Sequence, residues 1–399
     1  MPLKSTVRIK TLNNIAAEGL ALLGTDYETG AKIDRPQAII VRSSSVNTSQ
    51  YPDLLAVARA GAGVNNITVT EATKAGVCVF NTPGANANAV AELVFMMLGV
   101  WARNLHQAHD FCRQLSALND AKIKTRTEAE KANFKGFELA GKTMGVIGLG
   151  QIGIKVANGG AFRRMRVIGF DPNPALKNIH ILSPEVILAR SLTELQEHAD
   201  IISLHLPLND KTRGLINSDF IKRLKPGAAL LNYARGPVVD EEAVLAALDS
   251  GQLSIYINDF PSQPLLRHQQ VITTPHLGAS TGESEEQCAK MAVSSLKNYL
   301  EYGTISHSVN FPAAEAIIRH NIACRLIIIN NDIPGMIGFA SQIIGNSGIN
   351  IASYNNQSNG RIGYNIIDLE GLPGPEVIET IENNPDVVRA RLIQFVSAS

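Results

Sequence analysis

A glycine triplet constrains this chain more than any other feature. Gly148, Gly150 and Gly153 stand in G-x-G-x-x-G spacing inside VIGLGQIG, directly after the apolar run TMGVI and directly before a helical pattern. Few folds carry a strand into a helix across three glycines so spaced. The first glycine lets the chain turn tightly, the second lets phosphates reach the backbone, and the third lets the helix pack on the strand. The unpaired N–H groups and dipole of that helix then face an anion, with Gln151 and Ile152 on the same turn. Asp171 closes the next apolar run, RVIGFD, 18 residues after Gly153. An acid near this position binds the ribose hydroxyls of a dinucleotide and repels a 2′-phosphate, so the pattern predicts NAD over NADP. Arg163 and Arg164 work against that preference, because a guanidinium can accept a 2′-phosphate. Gly159 and Gly160, inside the same helical stretch, each cost about 1 kcal/mol relative to Ala, and this reading gives them no role.

Around the motif, short apolar runs alternate with helical patterns. AIIVRS, LLAVARAGAG and VCVFNTP precede a helix at about 87–104 that is apolar nearly all round; RVIGFDP, ADIISLHLP, GAALLNYARG and LSIYINDF follow the glycine loop. Such alternation builds parallel βαβ units. Residues 119–135 are polar and read as a surface excursion, and one amphipathic helix is predicted from Met291 to Tyr302. Residues 318–399 change pattern to strand, helix, two strands, helix, strand, a ferredoxin-like order. The expected class is α/β: two doubly wound parallel-sheet domains plus a C-terminal ferredoxin-like βαββαβ domain.

A chain of 399 residues exceeds what one hydrophobic core normally supports. Its 36 Lys and Arg balance 36 Asp and Glu, so no global field draws nucleic acid or an anionic membrane. An anionic substrate must be held by a few placed groups. No apolar run approaches the roughly 18 residues that span a bilayer, and the first residues lack an apolar signal core; a cytoplasmic, soluble chain is expected. Cys78, Cys112, Cys288 and Cys324 lie far apart without a CxxC, so neither a metal site nor a disulfide framework is predicted.

Three further segments complete the pattern: ARAGAGVNNI at 58–67, LLNYARGPVVDEEAVLAAL at 230–248 and TPHLGAST at 274–281. Together with the glycine loop they resemble the D-isomer-specific 2-hydroxyacid dehydrogenases over nearly the whole chain. The resemblance implies a discontinuous, flavodoxin-like substrate domain from residues 1–100 and 277–305, with an inserted Rossmann NAD domain at 101–276. A linker at 306–317 and a regulatory ACT domain at 318–399 follow. The leading reaction it implies is NAD-dependent oxidation of D-3-phosphoglycerate and its reverse, the first step of phosphorylated serine synthesis. Another 2-hydroxy acid dehydrogenase or 2-oxo acid reductase, and a non-catalytic NAD-sensing relative, are the alternatives.

Such chemistry needs a base for the C2 hydroxyl proton, a cation for the carboxylate and developing carbonyl, and a hydride acceptor. His276 suits the first task, since imidazole gives and takes a proton near neutrality. Arg235 suits the second, because its planar fork grips a carboxylate with two bonds. The resemblance adds cofactor contacts at His205, Pro207, Asn232, Ala234, Asp259 and Gly278, with Asp259 near the nicotinamide carboxamide. It also places the backbone of Gly61, Ala62, Gly63 and Val64 against the substrate carboxylate. Arg42 and Asn86 are candidates for the phosphate. Where the family has a Glu that pairs with the His, this chain has Gln263. In the tail, Asn350 matches a side chain with which relatives bind serine, whereas Asn330 stands in place of the family's His and Asp332 in place of its neighbouring Asn; serine or another amino acid is the implied ligand, and an oligomerisation module without ligand is the alternative. A homodimer or homotetramer is implied as well.

Overall fold

The computed structural model describes residues 6–317 and 322–395. It divides into two compact units, Met1–Asn86 with Gly282–Ser399, and Ala87–Thr281.

In the first unit β1 (Val7–Leu12), β2 (Tyr27–Gly30), β3 (Ala38–Val41), β4 (Ala56–Arg59) and β5 (Cys78–Phe80) pair in parallel in the order β2-β1-β3-β4-β5. Every residue of β3 is buried, as expected of a parallel strand covered on both faces. The order reverses direction between β1 and β3, the flavodoxin-like arrangement. One covering helix, Gly282–Tyr302, buries Ala289, Ala292, Val293 and Leu296. It starts well before Met291 because Glu283 and Glu285 occupy its first turn, where the helix dipole favours acidic side chains although they hide the apolar period.

The second unit holds β6 (Thr143–Ile147), β7 (Arg166–Phe170), β8 (Ile187–Leu188), β9 (Ile201–Leu204), β10 (Ala228–Asn232), β11 (Leu253–Asn258) and β12 (Val271–Thr273), all parallel, in the order β12-β11-β10-β9-β6-β7-β8. Here the reversal lies between β6 and β9, the dinucleotide-binding order. The helix Gln151–Phe162 follows β6. Its two unexplained glycines are contact points: a Cβ at Gly159 would lie 2.5 Å from Phe95 Cε2, and one at Gly160 would lie 2.9 Å from Val167 Cγ2. Residues 119–135 are more ordered than their polarity suggests. Asn119 Oδ1 accepts the Lys122 N–H at 3.0 Å and caps the helix Asp120–Glu130, which buries none of its residues. The Arg126–Glu130 pair at 2.9 Å supports it one turn apart.

The tail forms an antiparallel sheet of β13 (Cys324–Asn331), β14 (Ile351–Ser358), β15 (Ile362–Leu369) and β16 (Val387–Gln394), ordered β14-β15-β13-β16. This is the ferredoxin-like order, with the helices Met336–Asn346 and Pro375–Glu382 packed on one face through Leu326, Ile328, Ile344, Ile367 and Ile381. The other face is buried too. Ile327, Ile329, Tyr364, Ile366 and Ile393 share a core with Phe80, Leu296, Tyr299 and Phe311 of the first parallel-sheet layer. Polar bonds secure this junction at the C-terminus of the helix Gly282–Tyr302. Arg391 Nη2 donates to Tyr299 O at 2.6 Å, Arg325 Nη1 to Tyr302 O at 2.8 Å, and Tyr364 OH to Gly303 O at 2.7 Å. Cations at these carbonyls suit the negative end of the helix dipole. Arg325 is itself fully buried, held by Asp368 through two bonds of 2.7 and 3.0 Å. The tail is therefore built into its unit, and does not hang from a linker.

Candidate active site

The candidate residues of the second unit follow the carboxyl ends of its strands, the edge where open parallel sheets bind ligands. At the end of β6, Gly148 has φ +94° and the carbonyl oxygen of His205 lies where its Cβ would stand. A Cβ at Gly153 would run into Gly148 O, whereas nothing lies within 4 Å of the same point on Gly150. Two of the glycines are thus required by the protein's own backbone, and the middle one leaves open space for a ligand. Ile152 turns partly into the core of this unit. Asp171, after β7, accepts the Leu149 N–H and the Asn173 N–H at 2.9 Å each. Asn178, which no sequence signal marks, is buried, donates to Leu149 O at 3.1 Å and accepts from Gln151 Nε2 at 2.8 Å. It braces the loop from beneath. Arg163 lies at the far end of the helix, stacked 4.0 Å over Phe95 and bonded to Gly159 O, so its guanidinium is committed away from Asp171.

After β9, burial pushes the His205 imidazole down to about 3, so the ring is neutral. Its Nε2 meets Ser203 Oγ at 2.8 Å, while Nδ1 is buried without a partner. Pro207 is exposed and its carbonyl accepts the Thr212 hydroxyl. After β10, Asn232 is fully buried and organises the turn: Oδ1 accepts the Ala234 N–H at 3.1 Å and Nδ2 donates to Arg235 O at 3.0 Å. Arg235 is half-buried; Nη1 donates to Ala234 O at 2.7 Å, and no carboxylate among the described residues pairs with it.

Asp259, after β11, is 3% exposed and governs the segment after β12. Its Oδ1 accepts the Thr274 hydroxyl at 2.6 Å and the Leu277 N–H at 2.7 Å, its Oδ2 the Gly278 N–H at 2.8 Å, and its carbonyl the His276 N–H at 3.1 Å. His276, gripped on both sides, takes a left-handed backbone with φ +57°. Its exposed imidazole packs edge-on to Phe260 at 5.3 Å and makes no hydrogen bond to a described residue. Gln263 is not brought to it. That residue begins the helix Gln263–Arg267, capped by Ser262, with its side chain exposed and no bond to His276.

These features suit a dinucleotide. Gly150 leaves room at a helix N-terminus, Asp171 stands beyond the next strand, and buried donors or acceptors without partners remain at His205 Nδ1 and Asn258 Nδ2 on the same sheet edge. Buried polar atoms rarely go unpaired unless a ligand or water meets them.

In the first unit Arg42 follows β3 and the segment 60–64 follows β4. The loop is held by its carbonyls: Arg59 Nη1 donates to Gly63 O and Asn81 Nδ2 to Ala62 O at 2.6 Å. Gly61 lies against the same guanidinium, 2.8 Å from a would-be Cβ. With the carbonyls tied back, the N–H groups of Ala62, Gly63 and Val64 have no acceptor among the described residues, and such donors can meet an anion. Arg59 also donates to Arg42 O at 3.0 Å, and Asn13 Oδ1 accepts the N–H groups of Ser43 and Ser44 at 2.9 Å each. Asn13, Arg59 and Asn81 were not marked as site residues in the sequence: Asn13 acts on backbone 30 residues on, Asn81 on backbone 19 residues back, and Arg59 on Gly63 close by and on Arg42 17 residues back. Asn86 Oδ1 is buried without a partner. Arg42 Nη2 reaches Glu285 Oε1 at 2.7 Å.

Of the three tail candidates, Asn330 is buried and committed, accepting from Asn365 Nδ2 at 2.7 Å and donating to Asn331 O at 2.6 Å. Asp332, which accepts from the Ser358 hydroxyl, and Asn350 are exposed. Among the described residues no cluster of His, Cys, Asp and Glu could hold a metal ion, and no helix is long and apolar enough to cross a membrane.

Comparison with known proteins agrees with this geometry. Residues 95–278 match the family model described as D-isomer specific 2-hydroxyacid dehydrogenase, NAD binding domain. The chain is 35% identical over 314 residues to a D-3-phosphoglycerate dehydrogenase of Methanocaldococcus jannaschii, covering 76% of this chain and 57% of that protein. It is 36% identical over 289 residues to the Bacillus subtilis D-3-phosphoglycerate dehydrogenase, covering 69% and 52%. It thus spans about half the length of the curated relatives it matches. Among solved structures, an NAD+-bound 3-phosphoglycerate dehydrogenase of Entamoeba histolytica superposes with a TM-score of 0.60 at 25% identity, covering 77% of this chain and 99% of that one. The glycine loop and the strand-end constellation agree with these likenesses, which place residues 95–278 in the NAD binding domain of the D-isomer-specific 2-hydroxyacid dehydrogenases, with NAD as cofactor.

Proposed function

We propose that this protein oxidises the C2 hydroxyl of D-3-phosphoglycerate and catalyses the reverse reduction of 3-phosphohydroxypyruvate, the step that opens phosphorylated serine synthesis. The observation that carries the reading is the pair formed by Arg235 and His276. Both stand beyond strand ends of the NAD-binding sheet, His276 with its imidazole and Arg235 with all but its Nη1 corner unbonded to described residues. An NAD-sensing protein without chemistry needs neither. Arg235 anchors one corner on Ala234 O and offers the rest of its fork to the carboxylate and the C2 oxygen. His276 takes the hydroxyl proton on a ring nitrogen during oxidation and returns it during reduction. NAD, when bound, supplies the hydride acceptor. In the other unit, the N–H groups of Ala62, Gly63 and Val64 and the Arg42 guanidinium are suited to an anion, with Arg42 as the phosphate-binding group.

The test is NADH oxidation followed at 340 nm with 3-phosphohydroxypyruvate beside glyoxylate and other 2-oxo acids. A clear preference for the phosphorylated acid is expected; a preference for an unphosphorylated one would move the protein to that reductase class, which the Arg42–Glu285 pair favours. Two assembly features belong to the same reading. Met96 and Phe162, 60% and 88% exposed, present apolar surface that suits a homo-oligomer, checked by ultracentrifugation. Asp332 and Asn350 are the groups through which an amino acid such as serine would bind the tail, checked by calorimetric titration.

A further inference from the structure

The arginine assigned to phosphate already has an anion. Arg42 is fixed at its backbone by Arg59, bonded to its carbonyl, and by Asn13, which holds the two following N–H groups. The freedom left to it lies in the side chain. That side chain meets Glu285 at 2.7 Å, both groups being a little over one third exposed. Glu285 sits in the first turn of the helix Gly282–Tyr302 beside Glu283. A helix N-terminus favours a carboxylate in its charged form, and the C-terminal end of the same helix is anchored by Arg325, Arg391 and Tyr364. Glu285 is therefore presented from a fixed scaffold to an arginine fixed at its backbone.

We infer that Glu285 is a specificity-determining residue that selects substrates by charge. It rests on the reading of Arg42 as the phosphate-binding group. The carboxylate occupies the Nη2 corner of the guanidinium, so a phosphoryl group must either share the remaining N–H groups or displace Glu285 into solvent. In the first case a dianion and a carboxylate stand on one cation, about 6 Å apart by the width of a guanidinium. Their repulsion in a largely water-like medium, reduced by salt with a screening length of about 8 Å, weakens phosphate binding about three- to tenfold. An unphosphorylated 2-oxo acid has no group at this position and escapes the penalty. Glu285 thus lowers discrimination for phosphorylated substrates and broadens the range of acids accepted.

The experiment measures kcat and KM for 3-phosphohydroxypyruvate and for glyoxylate, with saturating NADH, in the full-length protein and in Glu285→Gln, Glu285→Asp and Arg42→Ala. Glu285→Gln removes the charge and keeps the shape; the expected result is a three- to tenfold rise in the phosphorylated-to-unphosphorylated ratio of kcat/KM, carried by KM rather than kcat. The rise should shrink as salt increases. Glu285→Asp keeps the charge and should leave the ratio closer to wild type, which separates electrostatics from disturbed packing. A ratio that stays constant or falls in Glu285→Gln, while Arg42→Ala selectively raises KM for the phosphorylated acid, overturns the inference and leaves the phosphate reading of Arg42 standing. An equal effect of Arg42→Ala on both acids overturns both.

Discussion

Replacing Asp259 with Asn should disable catalysis by releasing His276, with NADH binding retained. The side chain is 3% exposed and accepts three hydrogen bonds, two on Oδ1 from Thr274 and Leu277 and one on Oδ2 from the Gly278 N–H. An amide keeps an acceptor for the first two. Its NH2 would face the Gly278 N–H, donor against donor. The loss comprises one charge-assisted bond and one buried N–H left unsatisfied, together about 2–4 kcal/mol. Against this stands the left-handed backbone of His276 at φ +57°, which costs a non-glycine residue about 1–2 kcal/mol and persists only where surroundings over-determine it. The clamp and the strain are of the same order, so halving the clamp frees the segment to relax and swings the imidazole away. Loss of a positioned acid–base group lowers kcat about 10²- to 10⁴-fold. Three measurements on one variant decide the matter: kcat for 2-oxo acid reduction, the dissociation constant of NADH by fluorescence, and the melting temperature. A large fall in kcat with a small change in NADH affinity is expected. If kcat at saturating NADH stays within threefold of wild type while NADH affinity collapses, Asp259 acts on the nicotinamide and the clamp is not what orients His276.

Other outcomes follow from the same geometry. NADH should be preferred to NADPH, and Asp171→Ser should narrow the preference in a paired kcat/KM assay; an unaltered ratio would remove Asp171 from the ribose site. His205 is neutral because burial lowers its proton affinity from 6.5 to about 3. Below pH 6.5 the unfolded chain binds a proton that the folded chain refuses, so stability falls as pH drops toward 3; His205→Gln should flatten that fall in melting scans between pH 7 and 5, and parallel curves would contradict it. Deleting residues 318–399 should lower the melting temperature sharply or cause aggregation, because Tyr364, Ile366 and Ile393 cover Phe80, Tyr299 and Phe311; an unchanged melting curve would show the tail to be a separable appendage. Gly153→Ala should abolish NADH binding, since its Cβ would enter the Gly148 carbonyl, and retained binding would mean the loop can reshape.

The division between what was legible in the chain and what was not has a physical basis. The glycine loop and Asp171 could be placed because a tight turn, a helix N-terminus and a strand end are local events written within a few residues; Arg235 and His276 were singled out by the resemblance of their segments, and the fold sets both beyond strand ends. The parallel class of the two large sheets was legible for a related reason, since alternating strands and helices build right-handed βαβ units; the order of the strands came with the fold. The supports of the site were not. Asn178 braces a loop 29 residues before it and Asn13 ties down a turn 30 residues after it, and as isolated Asn residues they look like any turn; Asp259 was marked only as a cofactor contact, and its reach to Gly278 across 19 residues came with the fold. Two readings had to give way to tertiary facts. Gln263 stands where the family pattern puts the partner of the histidine, yet the backbone after Ser262 turns into a helix and leaves its side chain in solvent. The tail scanned as a separate regulatory module, yet β15 is buried along its whole length because both of its faces are covered. A strand's sequence states that it is apolar on two sides, but which surface comes to cover the second side depends on chain segments that meet it only in the folded protein.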